Sequence, residues 1–166
     1  KYYEKSLKIA NRKKNRKLLG NILRDKGYVL IKLGNLNEAF SHFKTAFSLL
    51  TEIQETAHAG MCWQGIGYIQ YLQGKFSASL RSLKKALYMV QYSGHIYCKV
   101  TILFYLSVYH VEQELFAEAQ KYIKTGLRLA FEQGFEFELA QFRRIQAKRA
   151  FKLKKYIKNC LYKGNN

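Results

Sequence analysis

Acidic residues are scarce in this chain. Its 166 residues hold 11 Asp and Glu against 29 Lys and Arg, for a formal net charge of +18. Proline is absent, and the cysteines are only Cys62, Cys98 and Cys160. An odd number of widely separated cysteines favours reduced thiols in a cytoplasmic setting over a disulfide framework. No uninterrupted apolar run approaches the length needed to cross a bilayer, so no membrane span is expected. The chain also lacks a signal-peptide pattern.

Catalytic and cofactor-binding patterns are missing too. His42, His58, His95 and His110 fall on different elements, and no two have the i, i+4 spacing of a helical zinc site. Cys62, beside Trp63, reads as apolar packing with no base to activate it, and no cysteines form a C-x-x-C pair. There is no phosphate-binding loop, and the glycines of "GIGYIQ" lack the strand that a dinucleotide site requires. The expectation is a protein that is not an enzyme and uses neither metal nor cofactor.

The positive charge is gathered at the ends. Residues 1–17 hold eight Lys and Arg against Glu4 alone, and residues 143–163 hold nine with no acid. Between them, twelve basic and ten acidic residues nearly balance. Such ends suit an acidic protein surface, nucleic acid or anionic lipid. Lysine-rich termini also simply keep an exposed helix in solution, and no RNA- or DNA-binding motif accompanies them.

One set of residues recurs with a shift of 40. Gly27, Gly34, Ala39, Phe43 and Ala46 return as Gly67, Gly74, Ser79, Leu83 and Ala86, and again as Ser107, Glu114, Ala119, Ile123 and Gly126. A fixed period of roughly 20 to 50 residues marks stacked supersecondary units. In the first copy, Leu19, Ile22, Leu23, Val29, Leu30 and Leu33 fall largely at helical steps. After a break at Gly34-Asn35, Leu36, Ala39, Phe40, Phe43, Ala46, Phe47 and Leu50 do so again. Each unit therefore reads helix A, tight turn, helix B.

Local details follow from that reading. Asn35 is placed to cap helix B, with Glu38 three residues on completing a capping box. The small residues let antiparallel helices approach, and Phe43 and Leu83 fill the space beside them. The array is expected over residues 1–155, with full repeats at about 18–54, 56–94 and 96–134. Partial repeats are expected at 1–14 and 136–160, and 161–166 as a frayed tail. Tyr3 precedes Phe43 by 40, so the opening reads as a helix B from inside a longer array. Ala147 follows Ser107 by 40 and should fill its slot in a fourth helix A, with a helix B starting near Tyr156.

This spacing resembles the tetratricopeptide repeat. The likeness rests on Leu23, Gly27, Gly34, Ala39, Phe43 and Ala46 in the first copy, and on Trp63, Gly67, Gly74 and Ala86 in the second. The third copy departs at Ser107, Glu114 and Gly126, and the family's repeat-ending proline is absent. The common repeat has about 34 residues, so the chain resembles a long-repeat variant over roughly residues 1–155. The resemblance implies an all-α fold: a right-handed α–α superhelix, or solenoid, of antiparallel helix pairs. Its A helices would line a concave groove.

Counting from the matched glycines, the groove candidates are Arg24, Tyr28, Gln64, Tyr68, Tyr71, Phe104, Tyr105, Arg144 and Lys148. The lining is aromatic in the middle and cationic at the far end. Packing between neighbouring repeats is the competing role for each ring. Chaperone-binding members hold a terminal carboxylate with Lys, Asn and Arg on successive A helices. The corresponding slots are Arg24, Tyr28, Gly65, Thr101 and Tyr105, where only Arg24 has the right charge, so that capture is not expected. The resemblance thus implies a scaffold whose groove binds a peptide or helix of a protein partner. The alternatives are a ligand-sensing or nucleic-acid-associated segment of a larger regulator, and permanent docking of one side into an assembly.

Overall fold

The computed structural model describes residues 2–6 and 15–163. A helical stretch covers residues 2–6, and the rest of the expected partial repeat at 1–14 lies outside the described residues. The long helices are α1 (Arg16–Lys32), α2 (Leu36–Glu52), α3 (Thr56–Leu72), α4 (Phe76–Val90), α5 (Ile96–Glu112), α6 (Phe116–Glu132) and α7 (Glu136–Lys163). No strand occurs among the described residues.

One kind of stop sets the helix lengths. Backbone φ turns positive at Gly34, Gln54, Gly74, Gly94, Glu114 and Gly134, once every 20 residues. The Gly34 N–H donates to the Ile31 carbonyl at 3.1 Å, and the Asn35 N–H donates to Leu30 at 2.9 Å. This pair of bonds is a Schellman stop, which satisfies carbonyls at the end of a helix. The same pair recurs at Gln54, Gly74, Glu114 and Gly134. A side chain at Gly34 or Gly74 would meet nothing within 4 Å, so glycine serves the conformation there and not the space. Gln54 and Glu114 hold the same geometry against a left-handed penalty of about 1–2 kcal/mol.

The expected capping box does not form. Asn35 is the N-cap of α2, but its side chain makes no cap hydrogen bond. A capping box needs the N-cap N–H free, and Leu30 already holds that of Asn35. Glu38 pairs instead with His42 at 3.3 Å and with Lys26 at 3.4 Å.

The chain divides into two compact units, Lys1–Cys98 and Lys99–Asn166. In the first, α1 packs on α2, α2 on α3 and α3 on α4. This succession is that of a helical-repeat solenoid. Phe43 of α2 is fully buried, with its ring in the space left by two glycines. A Cβ on Gly27 of α1 would come within 2.9 Å of that ring, and one on Gly65 of α3 would overlap it. The next hairpin repeats the device with Gly67 against Leu83, at 2.9 Å. A second pair of contacts keeps the 40-residue shift: Gly20 meets Leu50 at 2.7 Å and Gly60 meets Val90 at 2.8 Å. Ser79 stands where the first hairpin has Ala39, and its hydroxyl donates to the Gly67 carbonyl at 2.8 Å.

In the second unit α6 packs on α7, and Ile102, Leu106, Ile123 and Phe142 are fully buried. Here the roles are exchanged, because the glycine, Gly126, lies on the B helix and admits the ring of Phe142 from the following A helix. Ser107 is buried, as Gly27 and Gly67 are, and its hydroxyl donates to the Leu103 carbonyl at 2.8 Å.

The fourth hairpin departs from expectation. No turn precedes Tyr156, and α7 runs unbroken for 28 residues, through 161–163 of the expected tail. Residues 164–166 lie outside the described residues. Ala147 is exposed, not covered as Ser107 is. The reason lies in register: the counterparts of Ala119, Ile123 and Gly126 would be Asn159, Lys163 and Asn166. A helix with those residues has no apolar ridge to fold back over Ala147.

Two stability measurements probe these contacts. Gly65→Ala should destabilise the first unit by roughly 1–3 kcal/mol in urea unfolding. Adding Phe43→Leu should recover part of that loss, so the two effects will not add. Glu114→Gly should gain about 0.5–1 kcal/mol, and Gly74→Ala should lose a similar amount.

Candidate functional site

Two helices of the second unit build a cleft of about 180 Å³. Phe104 and Val108 come from α5, and Gln141, Arg144, Ile145 and Lys148 from α7. Steps of three and four residues place each set on one side of its helix. Phe104 also touches Tyr105 and Phe142, with ring centroids 5.6 and 5.8 Å away. Its ring is therefore both lining and support. Arg144 is exposed and makes no hydrogen bond or ion pair among the described residues.

Lys148 is less available than the sequence suggests. It donates to Glu112 of α5, and Lys152 donates to the other carboxylate oxygen at 2.6 Å. Burial works against the charge of Glu112, but the two lysines outweigh it and hold the carboxyl below its usual range. The cleft thus offers an apolar floor, one unmatched guanidinium and one lysine shared with a carboxylate.

The first-unit candidates divide by burial. Arg24 is buried, and its Nε and Nη2 donate to Asp25 at 3.0 and 2.8 Å while Nη1 donates to Asn21 at 3.1 Å. Gln64 is buried as well. The Tyr28 hydroxyl donates to the Met61 carbonyl at 2.9 Å, and its ring stands edge-on to Phe43 at 4.9 Å. Tyr28 thus ties α1 to α3, while Arg24 is held within α1, and Arg24 and Gln64 display little surface. Tyr68 and Tyr71 are half-buried, with Tyr71 at 5.9 Å from Phe76, so they keep surface for a ligand. Phe104, Arg144 and Lys148 are the candidates brought together around a cleft, with Tyr105 beside them.

Some features escaped the sequence. Lys85 of α4 lies 4.1 Å above the Trp63 ring and 5.7 Å from that of Phe47, and the two rings meet at 5.5 Å. The Nε1 of Trp63 is buried without a hydrogen-bond partner. At the end of α4, Tyr88 and Tyr92 are 74% and 91% exposed beside a hollow of about 300 Å³. Aromatic residues at helical steps gave no signal that they would face outward. Among the described residues no group of three His, Cys, Asp or Glu is placed to hold a metal. His110 is buried, with Nδ1 2.7 Å from the Leu106 carbonyl and its ring against Tyr109 and Tyr122. Burial pushes the Cys62 thiol up to about 12, far from a reactive thiolate at neutral pH.

Residues 18–91 match the tetratricopeptide repeat family. This segment of the chain belongs to that family. Its members are in general non-catalytic scaffolds that join proteins, which makes a protein the expected class of partner. No curated protein matches the chain. Among the described residues no helix is long and apolar enough to cross a membrane.

The Glu112 bridge has a pH signature. Its carboxyl lies below the ordinary value in the folded state, so its stabilisation is full above that value and fades as pH falls through the folded one. Glu112→Gln should cost about 1 kcal/mol or less at pH 7. The difference from the parent should shrink in urea titrations repeated under increasingly acidic conditions.

Proposed function

We propose that this tetratricopeptide repeat chain is a non-catalytic scaffold that binds a peptide or helix of a partner protein on the exposed faces of its A helices. The observation that carries the reading is the second-unit cleft, where Phe104, Val108 and Ile145 provide an apolar floor beside the unmatched charge of Arg144. An apolar side chain followed by a carboxylate would meet both. Burial of the apolar group supplies most of the affinity, and the guanidinium selects an acid by charge and by its fork of donors. In the first unit, Tyr68 and Tyr71 offer rings with hydroxyls, which give large contact area at small entropic cost. Because the helices are ordered before a ligand arrives, little ordering is needed on the scaffold side.

Nucleic acid is the competing occupant for the basic surface. Its binding would weaken steeply with salt as counterions are released, whereas a peptide seated on an apolar floor would respond less.

Selection of peptides from a random display library on the full chain tests the reading. Enriched peptides should place Asp or Glu within a residue or two of a large apolar side chain. By calorimetry, Arg144→Glu should weaken a selected peptide at least about tenfold, or roughly 1.4 kcal/mol. Selected peptides without acids, or an unchanged affinity in the variant, would remove the cleft from the proposal.

A further inference from the structure

The outward face of α7 is a second surface with its own chemistry. α7 spans 28 residues, against 17 in its partner α6. Its inward side carries the buried Leu139, Phe142 and Ile145. On the opposite side Phe137, Ala140, Ala147, Phe151, Lys155 and Lys158 follow one another at helical steps, and all are exposed. Phe137 and Phe151 are 70% and 73% exposed. Fourteen residues separate them, which is about 21 Å along the axis. Two large rings left in water on one helix face forgo the gain that burial would bring, and such a patch marks an interaction surface.

Charge narrows the occupant. From Leu139 to Lys163 the chain has no Asp or Glu. Glu112 engages Lys148 and Lys152, and Arg149 donates to the Phe116 carbonyl at 2.9 Å. Arg143, Arg144, Lys154 and Lys155 are exposed and have no partner among the described residues. A second copy of this chain, at +18, would meet repulsion here. Two rings with Arg144 between them and unmatched cations alongside fit a partner with the inverse pattern.

We propose that this face of α7 docks an acidic amphipathic helix from a partner protein, with its apolar ridge between Phe137 and Phe151 and its carboxylates against the flanking Lys and Arg. Arg144, seven residues from each ring, stands between them, and beside it the exposed side chains at Ala140 and Ala147 are single methyl groups. They would add little to insertion in lipid, but they leave a shallow saddle that a second helix backbone can enter. Phosphates alone would leave both rings uncovered. The surface adjoins the second-unit cleft, with which it shares Arg144, but neither phenylalanine lines that cleft.

The test uses the full chain and an immobilised synthetic helical peptide with leucines at steps of three and four and glutamates on both flanks. A scrambled peptide, single-stranded DNA and phosphatidylserine vesicles serve as competing probes. The designed peptide should bind saturably and the scrambled one at least tenfold more weakly. Phe137→Ser with Phe151→Ser should weaken the designed peptide tenfold or more while leaving DNA binding unchanged, with helix content checked by circular dichroism. If the double variant loses structure, Phe151→Ser alone should still weaken binding severalfold. Lys154→Glu with Lys155→Glu should weaken peptide and DNA alike. The idea fails if no saturable peptide binding occurs below about 100 µM. It fails equally if both peptides bind alike, if the phenylalanine variants bind as the parent does, or if only vesicles or DNA require the two rings.

Discussion

Close approach of helices, made possible by glycines that face bulky side chains, is the constraint on which this structure depends. Phe43 can be fully buried only because Gly27 and Gly65 leave its ring room on two sides. The same arrangement with Leu83, Leu50 and Val90 fixes how near α1 stands to α2 and α3 to α4. Interiors packed at crystal-like density do not absorb an added methyl group freely. The surface that each A helix turns outward follows from that spacing. Schellman stops at Gly34, Gln54, Gly74, Glu114 and Gly134 make the arrangement periodic, since the helices before them are all 17 residues long.

Electrostatics divides the chain differently from packing. In the first unit acids meet cations, near helix ends at Arg16 and Glu52 or Lys17 and Glu55, and mid-helix at Arg24 and Asp25. In the second, Glu112 serves two lysines and much of α7 has no counter-charge. The large net charge is thus concentrated toward the ends of the chain and is not spread evenly along it.

Much of the fold was legible because the repeat is written in small residues. Gly27 and Gly67 face Phe43 and Leu83 as their spacing implied. The contacts of Gly20 and Gly60 carried the same 40-residue signal and were overlooked. Two of the six turns lack glycine: Gln54 and Glu114 take the left-handed conformation without it, and only Glu114 was marked, by its place in the 40-residue repeat. The capping box at Asn35 failed because a backbone donor was already in use, which no side-chain pattern reveals. Helical phase placed the groove candidates on A helices, but phase does not say which of them find partners. Arg24 and Tyr28 are held by neighbours, while Arg144 is not. The unbroken course of α7 follows from polar residues at Asn159 and Lys163, where the preceding repeat is small or apolar.

The indole beneath Lys85 has an optical consequence. Trp63 is the chain's sole tryptophan, and both its ring neighbours, Phe47 and Lys85, belong to the first unit. Excitation at the red edge of the aromatic band therefore interrogates Lys1–Cys98 alone, while Lys99–Asn166 stays dark. A melting curve recorded by that emission describes the loosening of one indole from one ring and one ammonium group. The remaining half needs a reporter of its own.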